Sequence, residues 1–280
     1  MVSSVISDAE LIRVAGQLPV APRLLVELGQ ALHDPDVESR EVVKLLRQDT
    51  TLVAQLIRMA NSAAYAPAQP VGSLERALAC IGFAEVHRLV GVEASRQLAE
   101  QPMRYYPVTG AKLRQNALYV AVIMEELARP ARESSRSCYT VGLLRTIGMM
   151  ALERLAGPGA AIPPFAESGE TALDTWEQKH WGVTSGEVAE KILLHWRLPH
   201  ETVTAIRHHY RPAGRHNPLI HLLALAASSA ADRFFGIPGE ECHLTPTAEN
   251  FTKSGVKPLE FQQACERAQV IFDRLSMAAG

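Results

Sequence analysis

The histidines of this chain cluster in one region, which raises the question of a metal site. Seven of the ten histidines fall between His180 and His221, and neutral imidazoles are common ligands of transition metals. Their spacing does not favour a metal site, because no two lie four residues apart and the adjacent His208 and His209 point about 100° apart on a helix. We therefore interpret these histidines as structural or surface residues, and we predict no metal and no other cofactor.

Basic side chains accompany the His208-His209 pair. The run begins at Arg207 and continues through Arg211 to Arg215. One interpretation is that this patch receives an anionic ligand or an acidic partner surface. The alternative is that the cations complement the dipole at a helix C-terminus, which stabilises a helix by about 0.3 to 1 kcal/mol. Both histidines stay candidates for contact with a ligand or a partner.

The stretch at residues 142–148 has the sequence GLLRTIG. It resembles the core of the HD phosphohydrolases, in which adjacent His and Asp side chains help to hold a divalent metal that activates water against a phosphoester. In this chain the doublet is Arg145-Thr146. Arginine carries a permanent charge and has no lone pair to give, and threonine offers only a neutral hydroxyl. We predict that the chain is not an enzyme and has no catalytic residues.

Further motifs make the resemblance more specific. They are LPVAP at 18–22, DTTL at 49–52, MANSAAY at 59–65, EVA at 187–189, LHWRLP at 194–199 and AIRHHY at 205–210. In order and spacing they resemble the two halves of the HDOD family, the HD-related output domain, over roughly residues 15–235. This resemblance implies a regulatory module of bacterial signal transduction, such as a response regulator output, that works by protein contacts.

The metal-ligand positions of HD enzymes carry over poorly. The resemblance would put a ligand histidine near Gln115 and another near Ser185, whereas the histidine pair and the late Asp232 remain. Arg145 then has two interpretations. It binds a phosphate directly, or it pairs with Asp232 and closes the cavity, because a buried arginine needs a partner.

The amino-terminal motif supplies the other candidate residues. The family's Asn-Ser pair maps to Asn61 and Ser62, which are either ligand contacts or the end of a helix, where both residue types bond readily to local backbone. Tyr65 and the following loop at 66–70 place an aromatic ring beside a rigid turn, which suits a contact surface. The alternative for Tyr65 is a packing role between the two halves.

Composition restricts the class of protein. The chain has 280 residues, 47% of them hydrophobic and 21% charged, with a net charge of −2, so it can bury a sizeable core and lacks the basic face typical of nucleic-acid binding. The four cysteines are scattered, as expected of buried thiols in a reducing compartment. The amino terminus does not resemble a secretory signal, and no apolar run is long enough for a membrane span. We expect a cytoplasmic protein without membrane or nucleic-acid partners.

Helical periodicity runs along almost the whole chain, which predicts an all-α fold. The family resemblance implies that a helical amino-terminal half is packed on an HD-like helical bundle. Capping boxes are predicted at Ser7 and Thr184, an N-cap at Asp49, and a helix start at Asn217-Pro218. Breaks in composition divide the chain into a helical subdomain at 1–104, a degenerate HD-like subdomain at 105–238, and a polar linker with a terminal helix at 239–280.

Three functions are consistent with these observations. The favoured one is a non-catalytic regulatory module, a pseudoenzyme whose partners are unidentified signalling proteins. The second is a sensor that binds a nucleotide, a cyclic dinucleotide or another phosphoester in the vestigial HD pocket. The third is a metal phosphohydrolase with substitute ligands.

Overall fold

The computed structural model describes residues 7–278 apart from 33, 35, 63, 64, 66, 68, 101, 102, 158, 159 and 234. These described residues form helices joined by turns and loops, with no β-strand among them. The predicted all-α fold is confirmed. No helix in the described part of the chain is long and apolar enough to cross a bilayer.

Two compact units make up the fold: Pro19–Gln97, and Met1–Leu18 together with Leu98–Gly280. Helix α1 (Asp8–Ala15) belongs to the larger unit and precedes the smaller one. The smaller unit contains α2 (Val20–Ala31), α3 (Ser39–Leu46), α4 (Thr50–Ala60), α5 (Leu74–Ile81) and most of α6 (Phe83–Ala99). Its core is formed by the apolar faces of these short helices.

The larger unit continues with nine further helices among its described residues. These are α7 (Gly110–Ala131), α8 (Ser135–Leu144), α9 (Ile147–Ala156), α10 (Leu173–Trp181), α11 (Ser185–His195), α12 (His200–His208), α13 (Pro218–Asp232), α14 (Ala248–Ser254) and α15 (Pro258–Ala278). A single 3₁₀ turn at Phe165–Glu167 interrupts the loop between α9 and α10.

Local sequence signals start several of these helices. The capping boxes of Ser7 with Glu10 and of Thr184 with Glu187 are both formed, and the Asp49 carboxylate accepts a hydrogen bond from the Leu52 amide. Each side chain satisfies an amide of the first turn that has no partner within the helix. These predicted helix starts are confirmed.

The glycines of the GLLRTIG stretch bring four helices into close contact. A Cβ atom at Gly142 would lie 2.6 Å from the Cα of Ala121 on α7. A Cβ atom at Gly148 would overlap the carbonyl oxygen of Ser185 on α11. The absence of a side chain therefore lets α8 pack on α7 and α9 pack on α11, and the Arg145 turn is held between these two contacts.

Contacts divide the chain differently from the composition breaks at 104 and 238. Helix α1 packs on α9 and α11, and the carboxyl-terminal α15 packs along α7. The segment after residue 239 is also more regular than its polar composition indicates, because Thr247 and Asn250 form a capping box that starts α14.

The four cysteines are free thiols. Cys138 and Cys265 are buried, whereas Cys80 is half-buried and Cys242 is exposed. The expectation of buried thiols is therefore wrong for Cys242, which lies in the turn that precedes α14.

Candidate functional site

Arg145 lies at the turn between α8 and α9, in the position of the altered doublet. Its Nη1 and Nη2 donate to the two carboxylate oxygens of Glu240 at 3.0 and 2.9 Å. Its Nε and Nη2 also donate to the Oδ1 of Asn116 at 3.2 and 2.7 Å. Burial disfavours the charged guanidinium, but Glu240 and Tyr210 outweigh burial and raise the pKa of Arg145. A fixed positive charge thus occupies the centre of the HD-like unit.

Two positions inferred from the resemblance are corrected by this geometry. Arg145 pairs with Glu240 and not with Asp232, which is exposed at the end of α13. Gln115 is also exposed, and its neighbour Asn116 is the α7 residue that contacts Arg145. A shift of one residue rotates a side chain by about 100° around a helix, which is enough to exchange a buried face for an exposed one.

His209 lies on the other side of the guanidinium. Its Nδ1 donates to the Ile206 carbonyl at 2.8 Å, so the neutral Nε2 is the acceptor that lies 3.3 Å from Nη1 of Arg145. Burial, and then the positive charge of Arg145, lower the pKa of His209 to about 3. His209 is therefore a neutral acceptor at physiological pH.

Glu240 has a second side-chain partner in Tyr210, whose hydroxyl donates to Oε1 at 2.5 Å. Burial and the neighbouring carboxylate raise the pKa of Tyr210 well above its ordinary value. Both Glu240 oxygens are therefore engaged, and the buried carboxylate is compensated by a guanidinium and a phenol.

A cavity of about 580 Å³ opens beside this buried centre. Its wall is formed by α10, by the first turn of α11, and by the end of α12 with the residues that follow. The charged side chains of the wall are Asp174, Lys179, Glu187, Arg207, Arg211 and Arg215. His208 is half-buried in the same wall, so the structure separates the histidine pair: His208 lies at the cavity, and His209 also reaches inward to Arg145.

Asp174 connects the cavity wall with the segment that carries Glu240. It accepts hydrogen bonds from His243 Nε2 at 3.0 Å and from Arg211 Nη2 at 2.5 Å. The His243 bond, followed by the Arg211 bond, holds the pKa of Asp174 far below its usual range despite burial. The His243 ring also stacks on Tyr210 with centroids 5.2 Å apart. The cavity and the buried ion pair are therefore linked through hydrogen bonds and one ring stack.

A second buried carboxylate lies close to the position mapped to a lost HD ligand. Glu177 accepts a hydrogen bond from the Tyr106 hydroxyl at 2.7 Å and another from the Ser185 amide at 2.7 Å. Complete burial raises the pKa of Glu177 to about 7 in spite of these bonds. Ser185 is buried at the start of α11, where its backbone supports Glu177.

The remaining candidates belong to the smaller unit. Asn61 ends α4, and its amide bridges to Val71, donating to the Val71 carbonyl and accepting from the Val71 amide, both at 2.8 Å. Ser62 and Tyr65 are half-buried. The pKa of the Tyr65 phenol is raised, mainly by burial and also by the negative charge of Glu85. Asn61 therefore has a structural role in holding the 61–71 loop. Of the predicted 66–70 contact loop, Ala66 and Ala68 lie outside the described residues.

Glu240 and His243 were missed by sequence reasoning. Both lie in a stretch that its composition marks as polar and irregular, and no local motif indicates their long-range contacts with Arg145 and Asp174. The described residues contain no cluster of three His, Cys, Asp or Glu side chains arranged to hold a metal ion.

Solved structures share this fold. An HDOD domain protein of unknown function from Geobacter sulfurreducens aligns with a TM-score of 0.70 at 20% identity, over 97% of each chain. A proposed signal transduction protein from Marinobacter aquaeolei VT8 aligns at 0.69 and 21% identity, over 100% of this chain and 67% of that one. A proposed phosphohydrolase from Shewanella amazonensis SB2B aligns at 0.66 and 22% identity, over 97% and 98%. At these identities the likeness establishes the fold.

Comparison of sequences identifies the family. An uncharacterized protein of Treponema pallidum (strain Nichols) is 26% identical over 224 residues, which are 75% of this chain and only 41% of that protein. The HDOD domain family matches residues 18–212, well over half of the chain. With its altered doublet and its Asn-Ser pair inside the matched region, the chain belongs to the HDOD family.

Proposed function

We propose that this chain is a non-catalytic regulatory module of bacterial signal transduction that acts through contacts with another protein. The observation that carries the proposal is the ion pair between Arg145 and Glu240 at the position of the HD doublet. Membership of a family of output domains supports a regulatory role. A permanent cation bound by a carboxylate of the same chain gives that position a structural role in place of a chemical one.

The side chains around Arg145 do not fit a divalent metal. Metal ligands must offer lone pairs, and the guanidinium offers none while adding a positive charge that repels a cation. The lone pairs nearest to it are already engaged, since Glu240, Asn116 and the Nε2 of His209 all face the guanidinium. This arrangement argues against the remaining enzymatic alternative, a metal phosphohydrolase with substitute ligands.

Metal analysis combined with a hydrolysis assay tests this proposal. The purified protein is loaded with Mn²⁺, Fe²⁺ or Zn²⁺, desalted, and analysed by mass spectrometry for retained metal and with p-nitrophenyl phosphate and bis-p-nitrophenyl phosphate for turnover. We expect substoichiometric metal and no turnover. Stoichiometric metal that disappears in His209→Ala, together with turnover that disappears in the same variant, would overturn the proposal.

We place the partner surface on the smaller unit, around Tyr65. The half-buried ring leaves part of an aromatic side chain accessible beside the 66–70 loop, and accessible aromatic rings often dominate protein interfaces. Tyr65→Ala should weaken recovery of the partner from the native host, as quantified by mass spectrometry, while the melting temperature changes little. Tyr65→Phe keeps the ring and serves as the matched control. Normal recovery by Tyr65→Ala, or a large loss of its stability, would contradict this placement.

The second candidate function is a sensor of a phosphate-bearing ligand. The observation in its favour is the 580 Å³ cavity with four basic side chains in its wall. The ligand site would differ from the one expected from sequence, because Glu240 and Asn116 already occupy the guanidinium of Arg145. Any anion would have to be held by the cations of the cavity wall.

A further inference from the structure

We propose that the cavity formed by α10, α11 and α12 binds a small molecule that carries a phosphate monoester, and that Arg211 and Arg215 hold the phosphate. This inference rests on the sensor form of the proposed function and names its ligand class. It is independent of whether Tyr65 contacts a partner and of whether the Arg145 centre is inactive.

The cations of the wall differ in how firmly they are already bound. Arg207 is fixed by Glu187 at 2.7 Å and by Glu190 at 3.4 Å, and Lys179 is bound to Glu170 at 2.8 Å. These two residues contribute positive potential and are not free to grip a ligand.

Arg211 and Arg215 each keep terminal nitrogens for a ligand. Arg211 donates its Nε and Nη2 to Asp174 at 3.2 and 2.5 Å, but its side chain is 73% exposed and its Nη1 has no partner among the described residues. Arg215 donates its Nε to the Arg211 carbonyl at 3.1 Å, and no carboxylate of the described residues pairs with its terminal nitrogens. Both arginines thus line the same cavity, and a guanidinium group can bind phosphate oxygens in bidentate fashion.

His208 lies in the same wall as these arginines and responds to their charge. Although it is only half-buried, its pKa is lowered to about 4, first by desolvation and then by Arg215 and Arg207. A dianion between the arginines would offset the part of this shift that their charges cause, so the pKa of His208 should rise on binding. The charged groups that share the wall with His208 are Asp174, Lys179, Glu187, Arg207, Arg211 and Arg215.

The backbone at Gly186 and the volume of the cavity also favour a small anionic ligand. Gly186 lies in the first turn of α11 and lines the cavity, and the positive end of the helix dipole there favours an anion. A volume of about 580 Å³ falls in the range of pockets that enclose a small molecule. The size and the cation pair together favour a ligand such as a nucleoside monophosphate over a free inorganic ion.

Isothermal titration calorimetry at low and at physiological salt tests the ligand class. The probes are adenosine and guanosine 5′-monophosphate, inorganic phosphate, and the two nucleosides. We expect the monophosphates to bind, the nucleosides not to bind, and Arg211→Ala or Arg215→Ala each to weaken binding by about tenfold, the loss equivalent to about 1.4 kcal/mol. Arg129→Ala, an exposed arginine of α7 outside the cavity, is the matched control. The absence of binding by both monophosphates, or equal binding by wild type and both cavity variants, would overturn the proposal.

Proton linkage provides a second measurement. Titration of the monophosphate near pH 6, in buffers with different ionisation enthalpies, should show a net proton exchange that differs between the wild type and His208→Gln. The phosphate monoester has a second pKa of about 6 and releases protons when it binds as the dianion, and both proteins share this release. His208→Gln should still bind and should release a fraction of a proton more than the wild type, because it lacks the uptake by His208. Equal proton exchange in the two proteins would remove His208 from the site. Because the metal analysis tests the Arg145 centre alone, failure of ligand binding can be distinguished from failure of the non-catalytic proposal.

Discussion

Glu240 faces Arg145 with both carboxylate oxygens, one 3.0 Å from Nη1 and the other 2.9 Å from Nη2. The side chains are 0% and 2% exposed, so water compensates neither charge. The two residues lie 95 positions apart in the chain. The core of the larger unit therefore depends on the loop between α13 and α14 for the charge balance of its centre.

Removal of both partners of this pair should cost clearly less stability than the sum of the two single removals. Glu240→Ala and Arg145→Met should each lower the free energy of unfolding by about 3 to 5 kcal/mol, because each leaves an uncompensated buried charge. The double variant should lose clearly less than the sum of the two in urea denaturation. Arg267→Ala, which breaks a pair with Glu126 on a side chain that is 53% exposed, should cost about 0 to 1 kcal/mol. Additive losses would mean that the two charges are not coupled.

The two glycines that flank the Arg145 turn should not tolerate even a methyl group. Gly148→Ala places Cβ on the Ser185 carbonyl, and Gly142→Ala places it 2.6 Å from the backbone of Ala121. Because backbone atoms cannot move aside easily, each variant should lose about 1 to 3 kcal/mol or more. Gly72→Ala, with open space around its Cβ, should change stability by less than about 0.5 kcal/mol. A wild-type melting temperature for Gly148→Ala would show that α9 and α11 are not in close contact.

Asn61 should matter for the stability of the smaller unit through its bridge to Val71. Asn61→Ala leaves the Val71 amide and carbonyl without their partner, so we expect a loss of about 1 to 3 kcal/mol. Asn61→Asp keeps the acceptor and loses the donor, and should also be destabilising. Ser62→Ala is the neighbouring control, with an expected change below about 0.5 kcal/mol. Thermal and urea denaturation provide the measurement, and equal stability of the Asn61 and Ser62 variants would contradict the structural role.

The pH dependence of stability should carry the signature of Glu177. Its pKa is raised from 4.5 to about 7 by burial, so its stabilising contribution is complete below pH 4.5 and is lost as pH rises through 7. The difference in stability between wild type and Glu177→Gln should therefore move in favour of the variant over this interval, by up to about 1.4 kcal/mol per pH unit.

His209 provides the control of opposite sign. Its pKa is lowered to about 3, so its contribution is complete above pH 6.5 and decreases as pH falls toward 3. As the pH is lowered from 6.5, the wild type should consequently lose stability relative to His209→Gln, whereas it should gain stability relative to Glu177→Gln. If the difference in stability between wild type and Glu177→Gln stays constant from pH 4.5 to 7, Glu177 keeps its ordinary pKa in the folded protein.

Local signals account for the part of the fold that the sequence predicts. A capping box such as Thr184 with Glu187 acts within one turn of the chain, so its outcome can be inferred from residue types alone. The weaker box of Thr247 with Asn250 was missed, because it lies in a polar stretch and uses Asn where Glu or Gln is usual. Helix α14 was consequently interpreted as part of an irregular linker.

The site depends on information that no local pattern contains. The resemblance put a ligand position of α7 near Gln115, which is exposed. The residue that faces inward is its buried neighbour Asn116. The partner of Arg145 was sought at Asp232, although the chain reverses beyond α13 and brings Glu240 to the guanidinium. Charge balance predicts that a buried arginine has an acidic partner, but only the three-dimensional path of the chain identifies which one.

The position of Glu240 also affects how the protein can be dissected into pieces. The HDOD match ends at residue 212, whereas the counter-charge of Arg145 and the helix α15 that packs on α7 come later. A truncated fragment cut at the matched boundary would keep the buried cation and discard its carboxylate. Such a fragment should express poorly or aggregate, and a loss of binding measured with it would reflect a broken core. Deletion studies of this chain should therefore retain everything through α15.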